Sequence, residues 1–115
     1  MKTFLYLYID LQNMNVITRR TIVYYTERYP GAKIGLLTWL KEFSEKDFHN
    51  PNELKDTYRN ASIIANHRLI FNIKGNDFRL ITSVNYRTKA AYVIWFGTHG
   101  KYDDIDAATI KHLSI

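Results

Sequence analysis

Six consecutive residues, Thr98-His99-Gly100-Lys101-Tyr102-Asp103, combine an imidazole, a fixed positive charge, a phenol and a carboxylate. Histidine takes or gives a proton near neutral pH. Lysine can stabilise negative charge developing on phosphorus, and a tyrosine hydroxyl can donate to a leaving oxygen. RNA suits such a set because it brings its own nucleophile, the 2′-hydroxyl beside the scissile phosphate. In-line transfer then needs alignment, an acid–base pair and positive charge, and it requires no metal or other cofactor. The same residues also have a purely structural reading, in which His99 and Asp103 hold a loop through hydrogen bonds to the backbone.

The chain has 115 residues, a formal net charge of +5 and no cysteine. That length fits one domain. The missing cysteine excludes a disulfide framework, thiolate-bound metal and thiol catalysis, and it fits a reducing cytoplasmic setting. No apolar run approaches the length that spans a bilayer. Most of the excess charge lies in residues 67–101, where Arg68, Lys74, Arg79, Arg87, Lys89 and Lys101 face only Asp77. Such clustering suits a polyanion, most often nucleic acid, or else an ordinary solvated sheet face. His49, His67 and His112 show no metal-ligand spacing with carboxylates, and Asp103-Asp104-Ile105-Asp106 is too irregular for a calcium loop. There is no glycine-rich phosphate loop and no nucleophile elbow.

The elements that must position these residues follow from periodicity. Residues 1–13 read as an extension, either an edge strand over Tyr6–Ile9 or an upstream start preceding Met14, with the main domain in 14–115. Met14–Ile17 reads as a short strand. Thr18 is the expected N-cap of a helix that closes at Glu27 to Tyr29 before Pro30-Gly31. A second helix is expected from Lys33 to Asp47, with Ile34, Leu37, Leu40 and Phe43 on its apolar face beside Trp39. Asn50 followed by Pro51 predicts a short helical turn through Asp56, and residues 57–66 read as loop.

From His67 the period changes to two, giving strands Arg68–Ile73, Asp77–Tyr86 and Lys89–Thr98 joined by tight turns. Two-residue turns place Leu69, Phe71, Ile73, Phe78, Leu80, Thr82, Val84, Ala91, Val93 and Trp95 on a helix-covered face. Arg68, Ile70, Asn72, Asp77, Arg79, Ile81, Ser83, Asn85, Tyr92, Ile94 and Phe96 then share an open face, with Arg87 and Lys89 at the turn. Guanidinium groups there would bind phosphate while Tyr92 and Phe96 stack on unpaired bases, which suits single-stranded RNA. Strict alternation puts His99 on the core side, so a bend after Phe96 is required to bring it to the open face.

The run Phe71-Asn72-Ile73-Lys74-Gly75-Asn76-Asp77-Phe78-Arg79-Leu80-Ile81, followed by Gly97-Thr98-His99-Gly100-Lys101-Tyr102-Asp103, resembles the HigB-type mRNA interferase toxins of the RelE-like superfamily. The resemblance extends from about Met14 to Ala108, and the two patterns together are specific. It implies the toxin of a bacterial, cytoplasmic type II toxin–antitoxin module, partnered by a HigA-type helix-turn-helix antitoxin through which alone it would meet DNA. It further implies ribosome-dependent cleavage of translated mRNA. The implied fold is α+β and compact, with two N-terminal helices packed on a small antiparallel sheet. Asn72, Asn76, Arg79, Thr98, His99, Tyr102 and Asp103 fall on the family pattern. Members usually carry Lys or Arg two residues after the strand tyrosine, whereas this chain has Tyr92-Val93-Ile94, with Lys101 left to supply the charge. The expected catalytic set is therefore Arg79, His99, Lys101 and Tyr102. RNA is expected on Arg68, Asn72, Lys74, Asn76, Arg87, Lys89 and Tyr92. Two other readings share the basic face: a non-catalytic module that blocks translation by binding RNA or the ribosome, and an inactive scaffold for the antitoxin.

Overall fold

The computed structural model describes residues 13–65 and 67–113. The edge strand and upstream start expected in residues 1–13 lie outside them, Asn13 apart. A short strand β1 (Asn15–Val16) begins the described fold, and the Met14 amide just before it donates to Lys46 O at 2.8 Å. Helix α1 (Arg19–Arg28) buries Thr21, Ile22, Tyr25 and Thr26 along one stripe. Thr18 stands at its N-cap position, but its hydroxyl does not cap the helix. It accepts instead from the Val93 amide at 2.7 Å and ties the helix start to the sheet. A 3-10 turn over Pro30–Ala32 separates α1 from α2 (Lys33–Ser44). Pro30 lacks an amide donor and cannot continue a helix.

The apolar face of α2 differs from expectation. Leu36, Trp39 and Phe43 are buried, with Leu40 packed beside them, while Ile34 is 83% exposed and Leu37 is 39% exposed. The helix turns its ring-bearing stripe toward the sheet. Trp39 stacks on Phe43 at 4.9 Å, and both meet Phe71 at 5.4 and 5.9 Å. It also stops at Ser44, short of Asp47. The short helix α3 (Pro51–Thr57) starts as expected, with Asn50 Oδ1 accepting from the Glu53 amide at 2.9 Å.

The sheet runs β1-β5-β4-β3-β2, comprising β2 (Ser62–Ile64), β3 (Arg68–Ile73), β4 (Phe78–Asn85) and β5 (Ala90–Thr98). Its three long strands are antiparallel, whereas β1 pairs with β5 in parallel, so the sheet is mixed. Strand β2 lies in the segment expected to be loop; at three residues it is too short to show an alternation. Ile73 pairs with Phe78 and Asn85 with Ala90, so each connection holds four residues and not two. An even change leaves parity intact, and the expected faces hold up to the Thr82–Val93 pair.

Beyond that pair a β-bulge intervenes. Thr82 pairs with Val93 but Ile81 pairs with Trp95, which leaves Ile94 without a partner. One extra residue reverses the faces of everything after it. Phe96 therefore turns to the helix side and stacks on Phe78 at 5.4 Å, while Trp95 turns to the opposite face. Both placements correct the alternation reading. The bulge also supplies, earlier than expected, the change of face that His99 needs.

The core on the helix side includes Ile22, Leu36, Phe43, Leu69, Leu80 and Phe96. The other face is less open than expected. Ile70, Ile81 and Ile94 form a buried row there, covered by Tyr102, Ile105, Ala107 and Ile110. An apolar row of this kind loses its contact with water only if some segment crosses it, and the chain after Tyr102 does so. Arg68 fixes that segment by donating from one guanidinium nitrogen to Ala107 O (2.9 Å) and Ile110 O (2.8 Å).

Candidate active site at one end of the sheet

Arg79 lies near the start of β4, paired with Asn72 on β3 and Gly97 on β5. The guanidinium donates to Asn76 O (3.1 Å), Phe78 O (3.2 Å) and Asn76 Oδ1 (2.7 Å). Three of the five N–H donors of an arginine are thus spent on holding it, and two remain for a ligand. Its central carbon sits 6.0 Å from the centre of the Tyr102 ring. Asn76 belongs to the β3–β4 turn, where Lys74 and Gly75 have φ of 54° and 63°. Glycine carries no penalty in that left-handed region.

Helix α4 (His99–Tyr102) brings up the remaining groups. It is a single turn, capped by the Thr98 hydroxyl, which accepts from the Lys101 amide at 3.2 Å. The His99 amide donates to Asp77 O at 2.9 Å and so ties this turn to the β3–β4 connection. His99 Nε2 lies 3.7 Å from Asp103 Oδ2, with both side chains about half exposed or more. Partial burial raises the Tyr102 phenol above its ordinary range; the positive charge of Arg79 opposes the shift, and the carboxylate of Asp103 adds to it. Tyr102 therefore keeps its proton at neutral pH and is available as a donor.

Trp95, which alternation had assigned to the core, completes the cluster. Its ring lies 6.2 Å from that of Tyr102 and folds across Gly97. A Cβ at residue 97 would lie 2.7 Å from the indole, so only glycine permits this pose. A glycine inside a strand signals either a bulge or a close approach, and it was the available clue to both.

The other expected residues divide between this site and the rest of the fold. Asn72 and Asn76 adjoin Arg79. Lys74 runs along the helical turn, its Nζ 3.9 Å from where a side chain at Gly31 would begin. The Lys101 ammonium lies over the Tyr29 ring, 5.8 Å from its centre. Arg68 is occupied with the C-terminal segment. Lys89 is tied to Asp47 Oδ1 at 2.5 Å and to Phe48 O at 2.9 Å. Arg87 and Tyr92 line a separate cavity of about 430 Å³ together with His67 and Ser83. Ser83 is four residues along β4 from Arg79, or about 13 Å at the usual strand rise. Of the expected RNA-binding residues, Asn72 and Asn76 thus adjoin Arg79, whereas Arg68, Arg87, Lys89 and Tyr92 are engaged elsewhere in the fold. Among the described residues no three His, Asp or Glu side chains converge as metal ligands.

A mixed sheet backed by a helical hairpin, with an arginine–tyrosine–histidine cluster at one end, agrees with a family comparison. A family described as the HigB toxin, the RelE-like toxic component of a toxin–antitoxin system, matches residues 32–105. The chain belongs to that family, and membership implies a cognate antitoxin. Among its relatives are the mRNA interferase toxin HigB of Escherichia coli K12, 27% identical over 93 residues, and the mRNA interferase HigB of Escherichia coli O6:H1, 23% identical over 94 residues. The first alignment covers 78% of this chain and 88% of the relative, the second 80% and 91%. The mRNA interferase HigB of Shigella flexneri is likewise 27% identical over 93 residues. Among the described residues no helix is long and apolar enough to cross a membrane.

Proposed function

We propose that this chain is a ribosome-dependent endoribonuclease that cleaves translated mRNA by transfer to the adjacent 2′-hydroxyl. Family membership and relatives named mRNA interferases support the reading. The observation that carries it is the Arg79 guanidinium, anchored by three hydrogen bonds and aimed over the Tyr102 ring. The two remaining N–H groups of Arg79 hold the scissile phosphate and offset the charge that builds on its oxygens. His99, paired with Asp103, accepts the proton of the attacking 2′-hydroxyl. Tyr102 donates its proton to the departing 5′-oxygen as the P–O5′ bond breaks. The products are a 2′,3′-cyclic phosphate and a 5′-hydroxyl. No residue in this sequence of steps calls for a metal ion.

In this reading residues 14–115 are the toxin domain, residues 1–13 precede it, and the chain works in the bacterial cytoplasm against a HigA-type helix-turn-helix antitoxin. The buried Ile94, standing where the family pattern has a cation, favours a rival reading as a scaffold, while a module that blocks translation needs the same basic face but no particular His99 or Tyr102. Inducing the chain without its antitoxin and mapping new mRNA 5′ ends separates the three. New ends confined to translated frames establish the ribonuclease. Growth arrest with intact mRNA identifies a module that blocks translation, and no arrest identifies a scaffold.

A further inference from the structure

Beside the cleavage site lies a cleft that the catalytic proposal does not use. It encloses about 360 Å³ between α1, the end of β5 and the C-terminal segment, and Tyr24, Tyr29, Trp95, Arg28, Lys101 and Lys111 are among its walls. No aspartate or glutamate lines it among the described residues. The volume falls within the range of small-ligand pockets, roughly 300–1,000 Å³. Two cations attend one ring: Arg28 lies 5.7 Å and Lys101 5.8 Å from the centre of Tyr29.

We propose that this cleft is a subsite for a nucleotide of single-stranded RNA neighbouring the one that is cleaved, its base against the tyrosine and tryptophan rings and its phosphate on Arg28, Lys101 and Lys111. The proposal rests on the ribonuclease reading and extends it. Two contacts join the cleft to the cleavage site. Trp95 lines the cleft and also meets the Tyr102 ring at 6.2 Å. Lys101 belongs to the same single-turn helix as His99 and Tyr102 and projects into the cleft. A strand whose phosphate sits at Arg79 therefore passes over Trp95 and enters between the rings. An acidic peptide would use the three cations but has no use for flat aromatic walls, whereas every base presents a face that stacks. The role of Lys101 follows as well: it guides the strand and does not reach the reacting phosphate.

The test measures binding of the full chain to labelled 2′-O-methyl hexaadenylate, which lacks the nucleophilic hydroxyl, and in parallel to a hexaglutamate peptide. The Arg28→Ala/Lys111→Ala double variant is expected to bind the hexanucleotide about tenfold more weakly, with Tyr24→Leu also weakened. All three residues are exposed, so neither variant should unfold. Unchanged hexanucleotide affinity in the double variant, with affinity lost in Arg79→Ala, overturns the cleft proposal and leaves the ribonuclease reading standing. Equal losses for the nucleotide and the peptide overturn it in favour of an acidic protein partner. No binding of the hexanucleotide by the unsubstituted chain also overturns it, while the mapped 5′ ends judge cleavage separately.

Discussion

At the residue scale, the site depends on how firmly one guanidinium is held. Asn76 accepts from Arg79 with both its backbone and its side-chain oxygen. In the proposed mechanism Asn76 is therefore a positioning residue. Asn76→Ala keeps the charge of Arg79 and loses its aim, so kcat should fall about tenfold with KM nearly unchanged. Asn76→Asp retains the accepting oxygen and should recover part of the loss; a substitution that raised KM alone would contradict the positioning role. The motif that contains these residues was legible in the sequence, because Asn76, Arg79, His99 and Tyr102 are strong chemical types at fixed spacing. The contact of Lys101 with an aromatic ring was not legible, since that depends on where Tyr29, just past the end of α1, comes to rest.

At the element scale, the bulge at Ile94 decides which side chains reach the site. It turns Trp95 toward Tyr102 and Phe96 into the core, and Gly97 gives the indole room to lie flat. Gly97→Ala places a methyl group 2.7 Å from that ring. Overpacking of this kind costs about 1–3 kcal/mol. Thermal unfolding should show that loss, with a change in the near-ultraviolet signal of Trp95; unchanged stability would mean that the indole moves aside freely. Arg68 acts on a second element. Arg68→Met keeps an unbranched apolar stem but removes the donors to Ala107 and Ile110. Amide exchange in residues 105–110 should rise while that in β4 stays slow. Alternation predicted three strands and their faces correctly as far as Val93, since four-residue turns preserve the parity of two-residue ones. It cannot reveal an inserted residue, nor the strand β2, whose three residues are too few for a period.

At the scale of the whole molecule, the sheet has one face for helices and another divided by its own C-terminal segment. The helical hairpin was readable from Pro30-Gly31 and the apolar spacing. The cover over Ile70, Ile81 and Ile94 was not, because residues 103–113 carry no regular pattern and are anchored by Arg68, far away in the sequence. The core on the helix side also sets a pH dependence. Burial pushes the Tyr58 phenol up to about 12, with a smaller contribution from Glu42, and its hydroxyl has no hydrogen-bond partner among the described residues. The unfolded chain releases that proton near pH 10 and the folded chain near pH 12. Stability present below pH 10 is therefore lost as pH rises through this window. Tyr58→Phe should be as stable as the parent at pH 7 and more stable at pH 11 in urea titrations. Equal losses in both proteins at pH 11 would show that Tyr58 is not the group responsible.

The most direct test of the proposed cleavage site is single-turnover cleavage of mRNA on programmed ribosomes, with the chemistry of the new ends determined. The parent chain should leave a 2′,3′-cyclic phosphate and a 5′-hydroxyl. Arg79→Ala should be slower by about 100-fold or more at unchanged thermal stability, and Tyr102→Phe by a comparable factor. Ends bearing a 5′-phosphate, or full activity in a folded Arg79→Ala chain, would contradict the assignment of this corner of the sheet as the cleavage site.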